Sequence, residues 1–325
     1  MKIFENLVMP EHLLLCFDNF VIGKRKRHDI ILFERNLADN IFDLSSDLRL
    51  NKYKHGSYKM FAVHDPKPRV VCVAAVRDRL VHQIIFEELV SQYEPQFFGA
   101  SYASRFNRGS WRAVDKLEKY LRFFQRTKRQ MPFVLHLDVE KFFASVDHQI
   151  LLKLLFRKRY DDRFKKILEE VVGSYNLLIG KGMPLGNVTS QIFANIYLHE
   201  VDHFIVQKLK HTHYVRYNDD LFLVGDDAIK LDCVAQKIVD FVVQFLCLTI
   251  PKSKILLRRW DVGVDLLGVV SYPNYRVPRA RLRKKIVLLL KNKPEYDWRN
   301  VVSYIGLLQQ SRGFILKTRL AIQVK

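Results

Sequence analysis

Tyr214-Val215-Arg216-Tyr217-Asn218-Asp219-Asp220-Leu221-Phe222-Leu223 reads as a β-hairpin, two apolar arms around a polar centre. Asn and Asp tolerate the backbone angles of tight hairpins, so an exposed turn would account for the centre by itself. The adjacent acids say more. Like charges side by side repel, and a metal ion is the natural neutraliser. Upstream, Phe133 to Val139 reads as a short apolar strand ending in an acid, Leu135-His136-Leu137-Asp138-Val139. The pattern from 133 to 271 is strand, helices, helix, hairpin, helix, strands. That order predicts an α+β fold with a ferredoxin-like split βαβ sheet. Such a sheet can set the end of its first strand beside the tip of its hairpin. Asp138, Asp219 and Asp220 would then converge on one point. Transfer of a phosphoryl-linked group needs such convergence, because two metal ions about 3.5–4 Å apart clamp the attacking and leaving oxygens. Magnesium prefers carboxylate oxygens. Asp226-Asp227, after Gly225, is read instead as the cap of the next helix.

Around this centre the chain divides without repeats or low-complexity stretches. Residues 1–56 read as helical and then polar, with a basic cluster from Lys24 to His28 that suits either a solvated face or nucleic-acid contact. Tyr58 to His64 and Val70 to Ala74 read as strands around the turn Asp65-Pro66-Lys67-Pro68-Arg69, where two prolines forbid a helix. A helix is expected around Asp78 to Leu89, and others around 148–158, 162–172, 188–209 and 228–248. Gly180 to Asn187 is a Gly/Pro loop. Two strands are expected near 254–259 and 265–271, then a basic helical tail from Arg279 with an apolar-rich segment at Val301 to Leu308.

The 325 residues are 49% hydrophobic and 12% aromatic, enough for a real core and against disorder. Lys and Arg number 54 against 34 Asp and Glu, a net charge of +20 that points to a polyanionic partner, nucleic acid first. The sequence shows no long uncharged apolar run and no signal-peptide pattern, so a cytoplasmic chain with no membrane partner is expected. Cys16, Cys72, Cys233 and Cys247 form no CxxC pair, which argues against zinc and disulfides and leaves each as a small core residue.

Taken in order, several stretches resemble bacterial reverse transcriptases. They are Asp65 to Arg69, Arg77-Asp78-Arg79, Ser101-Tyr102-Ala103-Ser104-Arg105, Asp138 with Phe142-Phe143, Gly182-Met183-Pro184-Leu185-Gly186-Asn187-Val188-Thr189-Ser190-Gln191, Tyr217 to Asp220, and Leu266-Leu267-Gly268. The resemblance is nearest to the enzymes of diversity-generating retroelements. Defence-associated bacterial reverse transcriptases are similar in size and motifs. It implies a right-hand polymerase: N-terminal helices and fingers over 1–130, a palm over 131–272 and a basic helical thumb over 273–325.

The resemblance implies RNA-directed DNA synthesis with two magnesium ions, or manganese in their place, held by Asp138, Asp219 and Asp220. Its partners would be a structured non-coding RNA template, a DNA or RNA primer and dNTPs. Lys67 and Arg69 match residues on the incoming triphosphate, one a point charge and one a fork. Phe143 matches the ring that excludes a ribose 2′-hydroxyl, with core packing as the alternative. Lys254 matches a general acid for pyrophosphate, although Lys252 is close. Leu185, Gly186 and Gln191 match the nascent-pair pocket. Leu185 and Gln191 replace the usual Gln and Pro, which implies error-prone synthesis, and Asn218 stands where the family keeps a small or apolar residue. Arg105 and Arg108 are expected along the template, with Phe106 between them as a stacking ring. Arg276, Arg279, Arg281, Arg283, Lys284 and Lys285 are expected on primer–template phosphates, or else on a solvated helix face. No further nuclease or zinc-finger segment is expected, so a small accessory protein or a second reverse transcriptase would assist. A catalytically idle RNA-binding scaffold and a template-independent polymerase are the competing readings.

Overall fold

The computed structural model describes residues 4–63 and 69–291, together with Leu308 and Ser311. Lys67 and nearly all of the segment from Val301 to Leu308 lie outside the described residues. The chain forms two compact units, each assembled from separate stretches.

The first unit comprises Met1–Gly99, Val139–Phe204 and Val239–Thr249, and is mainly helical. Helices Pro10–Val21, Leu37–Arg49 and Val76–Tyr93 bury Leu13, Phe17, Leu44, Leu48, Leu80, Ile85 and Leu89. Strands β1 (Lys59–Val63) and β2 (Arg69–Val73) form an antiparallel ribbon in which Val63 faces Arg69. Every residue of β1 is exposed, and β2 is anchored by the buried Cys72. Cys72 N donates to Leu185 O at 2.8 Å, which ties the ribbon to the Gly/Pro loop. Gly186 makes that approach feasible. Its φ is +116°, and a Cβ there would stand 2.9 Å from both Cys72 O and Val71 Cγ1.

The second unit comprises Ala100–Asp138, Ile205–Ile238 and Ile250–Lys325. Its centre is a four-stranded antiparallel sheet of β3 (Phe133–Asp138), β4 (Tyr214–Tyr217), β5 (Asp220–Gly225) and β6 (Ile255–Arg259), in the spatial order β4-β5-β3-β6. Helices lie in the connections β3→β4 and β5→β6. This is the ferredoxin-like order expected from the sequence. Directly opposed residues of antiparallel strands share a face. Val134, Phe222, Val224 and Val215 therefore lie on one face, where they join a core with Ala113, Val114, Leu117 and Leu121 of the helix Ser110–Lys128, and with Trp260. Leu135, Leu137, Leu221 and Leu223 are fully buried on the other face.

Two sequence expectations are corrected here. Residues 265–271 form two strands, β7 (Val264–Leu266) and β8 (Val269–Ser271), because Leu267 and Gly268 both take positive φ and reverse the chain. Strand β9 (Arg276–Pro278) then pairs with β8. Cys16 and Cys72 are buried, but Cys233 and Cys247 are exposed. Cys233 lies off the Leu231–Ala235–Ile238–Val242–Leu246 stripe that the helix Ala228–Leu246 buries, and Cys247 turns out of that helix with φ 50°. Asp227 does cap this helix, its Oδ1 accepting from Ile229 N at 2.9 Å and Lys230 N at 3.1 Å. No helix among the described residues is long and apolar enough to cross a membrane.

Candidate active site

The register of β3 against β5 sets Asp138 directly opposite Asp220. Both side chains lie on the face that carries Val134, His136, Phe222 and Val224, at the end where the hairpin turns. Opposed Cβ atoms in such a pair stand about 4.5–5.5 Å apart. Tyr217 pairs with Asp220, so Asn218 and Asp219 make a two-residue loop. Asn218 takes φ 53°, a conformation that Asn tolerates and most residues resist. Arg216, wholly buried and on the opposite face, donates from Nη1 to Asn218 O at 3.2 Å and so braces the turn from behind.

Two of the acids are met by a lysine and a histidine of the chain itself. Lys254 Nζ donates to Asp138 Oδ1 at 3.0 Å, and His136 Nε2 lies 2.7 Å from Asp220 Oδ1. The His136 ring stacks on Phe222, with centroids 4.4 Å apart, and cannot swing aside freely. Lys254 is half-buried at the end of a short 3-10 turn, whereas Lys252 is exposed. The three carboxylates do not yet form one tight ligand set. Among the described residues, the groups whose ligand atoms all lie within 4.8 Å of one another are His12, Cys16 and Glu87 in the first unit. Those three are joined by hydrogen bonds, with Cys16 Sγ donating to Glu87 Oε2 at 3.6 Å and Gln83 holding the other oxygen. At the acids, Lys254 holds Asp138 and His136 holds Asp220.

Burial, with the nearby charges of Asp220 and Asp138, pushes the Asp219 carboxyl up to about 6. Three acids with hard oxygen donors and a surplus of negative charge fit a divalent ion. The raised Asp219 also sets a pH effect. Its folded value lies above the ordinary 3.8, so its contribution to stability is full below about pH 4 and is lost as pH rises through about 6. In chelator, Asp219→Asn should therefore gain stability over the parent across that window, by roughly 1–2 kcal/mol after allowing for partial exposure. Thermal denaturation of both proteins at several pH values measures this, and a difference independent of pH would contradict it.

The other expected residues divide between the units. In the first unit, Arg69 is exposed at the start of β2. Phe143 is half-buried beside the buried Phe142, ring centroids 5.3 Å apart, and its carbonyl accepts from Met183 N at 2.6 Å. Leu185 is half-buried, while Gly186 and Gln191 are exposed. In the second unit, Arg105 donates to Ser101 O at 3.0 Å, Arg108 lies over the Tyr102 ring, and Phe106 is 84% exposed between them. Arg276 is engaged by acids of its own unit. It pairs with Asp115 at 2.7 Å and with the buried Glu118 at 3.4 Å, which is also bound by Ser271 under Trp260. Arg279 pairs with Asp265 at 2.5 Å. Arg281, Arg283 and Lys284 are exposed on the helix Ala280–Lys291. His136 and Arg216 were not singled out in the sequence. His136 acts through a cross-strand partner that only the register reveals, and Arg216 through the backbone of the turn two residues on.

Residues 54–271 match the family model described as reverse transcriptase (RNA-dependent DNA polymerase). The chain is 23% identical to the group II intron-encoded protein LtrA of Lactococcus lactis subsp. cremoris, over 63% of this chain and 35% of that protein. It is 25% identical to an uncharacterized 91 kDa protein in the cob intron of Schizosaccharomyces pombe, over 76% of this chain and 35% of that protein. The chain thus spans about a third of the length of these relatives. Among solved structures, telomerase from Candida albicans in complex with a TWJ fragment of telomeric RNA matches with TM-score 0.51 and 16% identity, over 75% of this chain and 51% of that one. Apo telomerase from Candida tropicalis matches with the same TM-score and 13% identity, over 77% and 56%. These likenesses are of fold, and the fold is that of a right-hand polymerase.

Proposed function

The chain belongs to the reverse transcriptase family, and from that premise we propose that it is an RNA-directed DNA polymerase whose chemistry is centred on Asp138, Asp219 and Asp220. One observation carries the reading: the antiparallel register that opposes Asp138 to Asp220, with Asp219 in the adjoining turn. In the reaction, a primer 3′-hydroxyl attacks the α-phosphorus of a dNTP, and the bond to pyrophosphate breaks. Two magnesium ions, or manganese, held by the three carboxylates would supply the charge neutralisation that this transfer requires. Lys254, already beside Asp138, holds a proton at Nζ that can pass to the leaving pyrophosphate.

Around this centre we assign fingers to residues 1–130, palm to 131–272 and thumb to 273–325. Lys67 and Arg69 would meet the triphosphate, and Leu185, Gly186 and Gln191 the nascent pair. Arg105 and Arg108 would follow the template, and Arg281, Arg283 and Lys284 the primer–template duplex. Arg279, part of that set in the sequence, is engaged by Asp265. The template would be a structured RNA in a cytoplasmic retroelement, nearest to the diversity-generating type, or in an antiviral defence system, with a small accessory protein or second reverse transcriptase assisting.

The test is extension of a DNA primer annealed to RNA, with magnesium and dNTPs. Extension is expected, with loss on omitting the template and little use of ribonucleotides. Extension without template would replace the reading by a template-independent polymerase. RNA binding with no extension under any condition would replace it by a scaffold.

A further inference from the structure

The first unit contains a second concentration of donors, with no part in the proposed chemistry. A cavity of about 250 Å³ opens where the Lys24–Arg27 turn, the helix Val76–Tyr93 and the loop Gly186–Val188 meet. Lys24, Arg27 and Arg79 all line it. Burial and the charges of Arg27 and Arg79 lower the Lys24 ammonium below its ordinary value, so the three cations crowd one another. The acid beside them is Asp29, which pairs with Arg79. Gln83, also lining the cavity, is turned to Glu87 at 2.9 Å.

The floor of the cavity is the start of the 16-residue helix Val188–His203. Its first-turn N–H groups have no partners within the helix, and its positive end favours an anion. Asn187, the residue at its N-cap, makes no side-chain capping bond. Asn187 is 4% exposed and lines the cavity, and its Nδ2 has no hydrogen-bond partner among the described residues. Arg79 Nε is likewise buried without one. A buried donor left unmade is destabilising, and an incoming acceptor would relieve it.

We infer that this cavity is a phosphate-binding site, formed by Lys24, Arg27, Arg79, Asn187 and the helix N-terminus, that grips a phosphate group of a single-stranded nucleic acid. The room suits one tetrahedral anion and its immediate waters. Exposed Arg27 stands at the rim and buried Asn187 at the floor, so a backbone phosphate can enter without its base. The basic cluster of the N-terminal segment thereby acquires a specific use. The site does not depend on nucleotidyl transfer, and its failure would leave the acids untouched.

The experiment measures anisotropy of a short fluorescent single-stranded RNA on the full chain, in chelator, over a salt series. Asn187→Asp replaces the unpartnered donor by an anion while keeping a residue that caps helices well, so folding should survive. It should weaken RNA binding about tenfold. Arg27→Ala, at an exposed position, should weaken it several-fold and lower the salt slope by about 0.7. A second arm exchanges chloride for inorganic phosphate at equal ionic strength. Phosphate that raises the parent's Tm and displaces RNA, but leaves Asn187→Asp unmoved, shows that the site also takes the free anion. RNA loss without a phosphate response restricts it to the strand. Parent-like RNA binding by Asn187→Asp, with no Asn187-dependent response to phosphate, overturns the inference, even if Arg27→Ala binds more weakly.

Discussion

Asp138→Asn and Asp220→Asn should each lower the rate of nucleotide incorporation by about a thousandfold or more, while single-stranded RNA binds as it does to the parent. The magnitude follows from what is removed. A divalent ion stabilises the transferring phosphoryl group by several kcal/mol, and each 1.4 kcal/mol is worth about tenfold in rate. Loss of one ligand charge therefore translates into about 4 kcal/mol and three decades. Asparagine keeps the size of the side chain and an oxygen that can accept from Lys254 at 138 or from His136 at 220. The sheet loses nothing it depends on, because the apolar positions Leu137 and Leu221 lie on the other face. Single-turnover primer extension gives the rate, and RNA anisotropy on the same preparations shows that the proteins are folded. Extension at parental rate by either variant, or by the chain with both Asp219 and Asp220 changed to Ala, would remove these acids from the chemistry.

The sheet and its acids were legible because their signals are local. Phe133 to Asp138 and Tyr214 to Gly225 are short apolar runs interrupted by turn residues, and both form strands within a residue of the expected bounds. What escaped depends on pairing. His136 looks like a polar interruption of a strand until β3 is laid against β5, and only then does it meet Asp220. Arg276 belongs to a basic run in the sequence, yet the hairpin of β8 and β9 turns it toward Asp115 and Glu118. The helix Ser110–Lys128 is disguised in the sequence by its many Lys and Arg, although Ala113, Val114, Leu117 and Leu121 keep the helical spacing of its buried face. Leu267 in a positive-φ turn could not be foreseen, since Leu has no preference for that conformation and the fold imposes it.

Phe143→Ala should raise the efficiency of ribonucleotide incorporation by about a hundredfold, with the efficiency for deoxynucleotides changed by less than about fivefold. The ring is presented from a fixed base. Lys141 enters the short helix Phe142–Ser145 with φ 45°, Phe142 is buried with its ring edge-on to Tyr197 at 6.2 Å, and the Phe143 carbonyl is held by Met183 N. The backbone should therefore stay in place when the ring is removed. Phe143 itself is only half-buried, so truncation should cost about 1–2 kcal/mol of stability rather than the larger loss of a full core position. A rigid ring that meets a ribose 2′-hydroxyl rejects it by clash, and relief of a clash worth roughly 3 kcal/mol gives the hundredfold. Phe143→Tyr, which keeps the bulk, should discriminate as the parent does. The measurement is kcat/KM for matched ribo- and deoxynucleoside triphosphates on one primer–template. If Phe143 only packs, the two substrates will fall in parallel as Tm falls, and their ratio will not move.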